Sequence, residues 1–198
     1  MDKGRLEAFT DGVIAIIITI IVLEMKVPET QNISGLVSIL PVFLAYALSF
    51  TNVGIFWNNH HHVLHATRRI DGKVLWANLF LLFWLSLIPF AIRWMDAAGF
   101  SSLPTAAYGA ILVMSSIGYL LLEWAIIACD ERNSALASAV GRDRKSRLSL
   151  LAYVAAIALA FISPWIAIAI YCTIALLWFV PDRRIEAAIS APGHDGGE

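Results

Sequence analysis

Charge is what this chain has least of. Only 15% of its 198 residues are Asp, Glu, Lys or Arg, where a soluble domain carries about 25%. None occurs between Glu29 and Arg68, and none from Leu148 to Val180. Stretches of that length without charge belong in lipid, and the 59% hydrophobic content and mean hydropathy of +0.74 extend the point to the whole chain. A basic stripe is also missing, and the net charge of -1 argues against a nucleic-acid partner. Cysteine is scarce: Cys129 and Cys172 form no metal-binding spacing and read as buried small residues. There is no HExxH, no pair of intramembrane aspartates and no serine with a base at helical spacing. The chain therefore reads as an all-α integral membrane protein, a single bundle with no cofactor, and not as an enzyme.

A spanning helix needs about 20 residues. The apolar runs place spans at about 6–25, 33–61, 74–94 and 97–127. The uncharged stretch 148–180 would be about 50 Å long as one helix, against a hydrocarbon core of roughly 30 Å. Ser163-Pro164 sits at its middle, and the residue before a proline avoids helical geometry. The stretch is read as two short spans, 148–162 and 165–180, in a tight hairpin. Six spans then form one unit over 1–189, and the polar tail 190–198 is expected to be disordered. Basic residues support the count. One side collects Lys3, Arg5, Arg68, Arg69, Lys73, Arg132, Arg142, Arg144, Lys145, Arg147, Arg183 and Arg184, and the other only Lys26 and Arg93. Both termini are thus expected in the cytoplasm of a cell whose plasma membrane holds the protein. Trp57, Trp76, Trp124 and Trp178 fall near inner ends, Trp94 and Trp165 near outer ends, as in an aromatic belt.

The first span breaks the pattern, because it begins with Arg5, Glu7 and Asp11. A charge at the bilayer centre costs roughly 2.5–3.5 kcal/mol on insertion scales. Those acids are also wrong for the head of a signal peptide, and no small-x-small cleavage site follows Leu23. A helix charged at one end needs protein or water around that end. Gly12, Ile16, Thr19 and Leu23 recur at spacings that share one helical face. Asp11 stands about 140° from Ile16 and belongs to another face. One face would carry Ile16, Thr19 and Leu23, while the other turns Asp11 toward neighbouring helices. A second reading stays open: Thr19 bonds the Ala15 carbonyl one turn back, and the Ile and Leu stripe is packing.

The second span ends FWNNHHHVLH. His61 with His65, or His62 with His65, could hold a metal on one helical face, but no third ligand with fitting spacing is visible. A histidine there could instead hydrogen-bond an acid inside the bundle. Arg5 and Asp11 lie at the same depth, as do the amides of Asn58, Asn59 and Asn78. A buried Asp stays charged only with donors around it. An Arg5–Asp11–His network would supply them and would strut the first helix against the second and third.

These residues carry a resemblance. RLEAFTDGVIAIIIT resembles the R-x-x-x-F-S-D signature of the lysosomal potassium channel called transmembrane protein 175 and its bacterial homologues. Arg5, Phe9 and Asp11 match, and Thr10 stands where the signature has Ser. FWNNHH, with Phe56 and Trp57, resembles the family's second-helix block, and LWANLFLLFWLSLIPF, with Asn78, its third-helix block. The likeness spans 5–90 and beyond that rests on helix count. It implies a homotetramer whose four first helices line a central pore. The family lacks the carbonyl filter TVGYG, which is absent here too. Selectivity is attributed instead to an apolar constriction with a nearby ring of Thr. Carried over, Ile16, Thr19 and Leu23 face the pore with Gly12 at its mouth, and potassium ions are the permeant partner. The resemblance also implies an interhelix network of Arg5, Asp11 and either His60 or His61, with Asn78 beside it. The chain is thus expected to be a passive potassium-permeable channel. The competing expectations are a proton-coupled or metal-ion transporter using His60–His65, and a scaffold without transport, for which Ala152, Ala155, Ala156 and Ala160 offer close packing.

Overall fold

The computed structural model describes residues 2–25, 27–28, 30–65, 67, 69–129 and 144–179, apart from the side chains of His65 and Arg144. The basic loop 130–143 and the tail 190–198 lie outside the described residues. All regular structure among those described is helical: α1 (Lys3–Leu23), α2 (Ile33–Ser38), α3 (Leu40–His65), α4 (Gly72–Ser86), α5 (Ile88–Ala97), α6 (Ser102–Cys129), α7 (Arg144–Ala160) and α8 (Pro164–Phe179). Four segments are long and apolar enough to cross a membrane: Lys3–Leu23, Leu40–Leu64, Gly72–Ala97 and Ser102–Cys129; Pro164–Phe179 is apolar but shorter.

Local chemistry sets the helix ends. Asp2 caps α1 by accepting from the Gly4 N–H, Asn32 caps α2 through the Gly35 N–H at 2.9 Å, and Asp71 caps α4 through the Val74 N–H at 3.0 Å. The third apolar run is broken at Leu87, because Pro89 has no N–H to give the carbonyl one turn back. The α5–α6 turn places Gly99 at φ 59 and Phe100 at φ 56, with the Phe100 N–H donating to the Met95 carbonyl at 2.7 Å. At Ser163-Pro164 the last uncharged stretch turns back on itself, so α7 and α8 pack side by side. The second run, expected as one helix, is interrupted at Ile39 between α2 and α3.

α6 is the centre of the bundle, packed against α3, α4, α5, α7 and α8. It crosses α4 closely at Gly118, where an added Cβ would lie 2.9 Å from the Leu81 Cα. Backbones approach this closely in lipid because packing, not water exclusion, holds membrane helices together. Ala156 and Ala160 of α7 are buried in the same way, whereas Ala155 faces out. Cys129 and Cys172 are free thiols and only partly buried, less enclosed than their small size suggested. α1 lies at the edge and touches α3, α4 and α5.

Candidate pore-lining helix and its polar anchor

The position of α1 at the bundle edge divides its residues. Leu6, Thr10, Ile14, Ile17 and Ile21 form a buried stripe against the bundle. Gly12, Ile16, Thr19 and Leu23 share the opposite side, with Ile16 58% and Leu23 79% exposed. The face read from spacing, which the resemblance assigns to the pore, is therefore a side of α1 that the rest of the chain leaves largely exposed. Thr19 Oγ1 lies 2.9 Å from the Ile16 carbonyl and 3.1 Å from that of Ala15. The backbone-bonding reading of Thr19 and the ion-facing one do not compete. Donating the hydroxyl proton inward leaves the oxygen's lone pairs as acceptors, which is what a cation needs. α1 and α5 enclose an open groove of about 950 Å³ that takes in Ile16 of this face and is walled by Val13, Ile20, Pro89, Phe90 and Trp94.

A buried polar chain holds α1 at the end where its charges lie. Asn78 of α4 donates to Thr10 Oγ1 at 2.9 Å, and its carbonyl oxygen is 2.7 Å from His60 Nε2 on α3. Thr10 and Asn78 are fully buried and His60 is 2% exposed. Three helices are thus joined through one amide. The oxygen of Asn78 accepts when His60 carries its proton on Nε2, so the bond selects that tautomer or the imidazolium.

Within the chain the polar groups connect partly differently from expectation. The histidine bonded to Asn78 is His60. His61 instead stacks on Trp57 at 6.2 Å between ring centroids and meets the His62 ring edge-on at 5.8 Å. Thr10, expected only as a signature residue, supplies the bond to Asn78. Asp11 is exposed and accepts from Trp57 Nε1 at 2.8 Å, which ties α1 to α3 by a separate route. Arg5 is exposed and is not paired with Asp11. Six residues on a helix lie about 9 Å apart along the axis and about 120° apart around it, out of direct reach. Phe9 is 49% exposed, and Phe56 packs edge-on against Tyr119. Of Asn58, Asn59 and Asn78, only Asn78 enters the chain. At the other end of α1, Glu24 pairs with Arg93 of α5 at 3.1 Å, a link not anticipated. Its one sequence signal is that both charges fall at the sparsely charged end of their spans. Among the described residues no three His, Cys, Asp or Glu side chains gather as a metal site; the His65 side chain lies outside them.

The family model described as endosomal/lysosomal potassium channel TMEM175 matches residues 5–89, which hold α1, α3, α4 and the Asn78 anchor. A protein named potassium channel from Chryseobacterium sp. is 52% identical over 189 residues, covering 96% of this chain and 98% of its own. The chain belongs to the TMEM175 family. A second protein named potassium channel, from Streptomyces collinus, is 32% identical over 204 residues, covering 94% of this chain and 98% of its own. The crystal structure of a lysosomal potassium-selective channel TMEM175 homolog from Chamaesiphon minutus superposes with a TM-score of 0.79 at 28% identity, over 92% of this chain and 97% of that one. The TMEM175 family consists of membrane ion channels, not enzymes, and the shared fold extends over most of this chain.

Proposed function

We propose that this chain is the subunit of a homotetrameric, passively conducting potassium channel in the bacterial inner membrane, with six spans and both termini in the cytoplasm. Four copies of α1 surround the pore. The observation that carries this reading is the uncovered side of α1, where Gly12, Ile16, Thr19 and Leu23 face away from the bundle in a member of a potassium-channel family. The exposed charges support assembly. Arg5 and Asp11 sit in a span on the surface of the chain, where among the described residues only the Trp57 N–H is supplied to Asp11, and further copies would bring the missing partners. α7 and α8 act as the fifth and sixth spans, although they are shorter than the others.

Ile16 and Leu23 form apolar rings, which gate by dewetting when narrow and conduct when wide enough to stay wet. Four Thr19 oxygens replace part of an ion's hydration shell. Potassium gives up its shell more cheaply than sodium, so partial replacement favours it, with modest selectivity compared with a full carbonyl cage. Transport through the histidines gains no support from the geometry: His60 is buried against Asn78, and His61 lies on Trp57.

The test is flux from liposomes loaded with potassium chloride and diluted into sodium chloride, read by a proton-driven dye with valinomycin setting the full signal. Flux that falls when sodium replaces potassium inside is the expected result. No flux with either ion from folded protein would sink the channel reading and favour the transporter or the scaffold.

A further inference from the structure

Away from α1, the inner half of the bundle contains a second polar feature. A cavity of about 40 Å³ lies among α3, α6, α7 and α8, lined by Asn52, Asn59, Ser116, Ser149, Tyr153 and Trp178. So many hydrogen-bonding side chains around one void are unusual in a membrane bundle, where an unmet polar group is expensive. Some are satisfied: Ser116 donates to the Leu112 carbonyl at 2.8 Å, and Ser149 accepts from Trp178 Nε1 at 2.9 Å. Asn52 donates to the Tyr108 hydroxyl at 3.3 Å, which leaves its carbonyl oxygen as an acceptor. Tyr153 is the informative residue. It is 4% exposed and lines the cavity, yet its hydroxyl has no hydrogen-bond partner among the described residues. Its ring packs on Tyr171 at 6.1 Å, so the aromatic body is held while the polar tip is not.

We propose that this cavity is a water-binding site inside each subunit, separate from the pore, in which ordered water bonds Tyr153 and the neighbouring amides and ties the α7–α8 hairpin to α3. The volume decides the ligand. A buried water needs about 10–15 Å³ of such space and two to four polar partners, so the cavity takes one or a few waters and no larger polar molecule. A dry cavity would leave the Tyr153 hydroxyl unmet, at a cost that the walls are equipped to avoid. The site also adjoins the anchor in sequence: Asn59 lines the cavity and His60 bonds Asn78, so consecutive α3 residues serve the two polar features.

The structure provides its own controls. Tyr108 and Tyr171 are as buried as Tyr153, but they line a different cavity, between α3 and α8. The experiment is radiolytic hydroxyl-radical labelling of the full chain in lipid nanodiscs, in ¹⁸O water, read by mass spectrometry. Radicals formed from bound water oxidise the side chain beside it, however deep. The expected result is labelling of Tyr153 several-fold faster than Tyr108 and Tyr171. Equal, slow labelling of all three means a dry cavity and overturns the proposal. In Ser116→Leu, where a larger side chain fills the void, Tyr153 labelling should drop to the rate of the controls. Undiminished labelling in that variant, with the helical spectrum unchanged, would assign the signal to another water source and also overturn the site. The wild-type comparison alone decides the matter if the variant does not fold.

Discussion

Thr19 shows how one side chain serves two demands. Its proton goes to the backbone of its own helix, and its lone pairs remain on the uncovered side of α1. If those lone pairs meet the ion, Thr19→Ala lowers the potassium-to-sodium permeability ratio measured by reversal potentials. An unchanged ratio would remove Thr19 from the selectivity element. Asn78 is the opposite case, a residue whose two bonds are both internal. Asn78→Leu leaves Thr10 and His60 unmet in a dry interface, at about 1–3 kcal/mol for each group stripped of its partner. The expected outcome is a lower thermal midpoint of the purified protein. A midpoint equal to the wild type would show that the chain of bonds does not hold α1. Spacing alone could place Thr19 on a face, but it could not choose between His60 and His61. Adjacent residues on a helix differ by about 100°, and only the packing of α3 on α4 decides which one points inward.

At the scale of elements, the α4–α6 crossing sets the distance between the anchor helix and the centre of the bundle. Gly118 permits it, and Gly118→Leu would push α6 from the Leu81 backbone. Overpacking of this kind costs about 1–3 kcal/mol, so the folded yield and thermal midpoint in detergent should both fall. Normal values for both would mean that the crossing relaxes without cost. The division of the last uncharged stretch into α7 and α8 was legible, because a proline cannot continue a helix and the length was too great for one span. The interruption at Ile39 was not legible. The run is uncharged throughout, and Pro41 stands beyond the break rather than at it. The Glu24–Arg93 link was equally hidden, since 69 positions separate its partners.

For the whole molecule, the exposed end of α1 carries the consequences. Arg5 and Asp11 are exposed on the surface of the chain, and the proposed assembly would enclose them. Asp11→Asn is therefore expected to damage tetramer formation, followed by native mass spectrometry, more than conduction per assembled channel. The neutral amide can still accept from Trp57 but no longer attracts a cation. If tetramers form normally and only conductance changes, the strut role of Asp11 is wrong.

What the amino-acid order determined by itself was the solvent and the class. Charge-free runs of spanning length can be buried only in lipid, and a signature at fixed helical spacing marks the family without knowledge of any contact. The face of α1 that carries Ile16, Thr19 and Leu23 was also readable, because helical periodicity is local. Tertiary structure decided which polar groups meet. That His60 and not His61 meets Asn78, and that Thr10 and not Asp11 joins them from α1, depends on how three helices are rotated against one another.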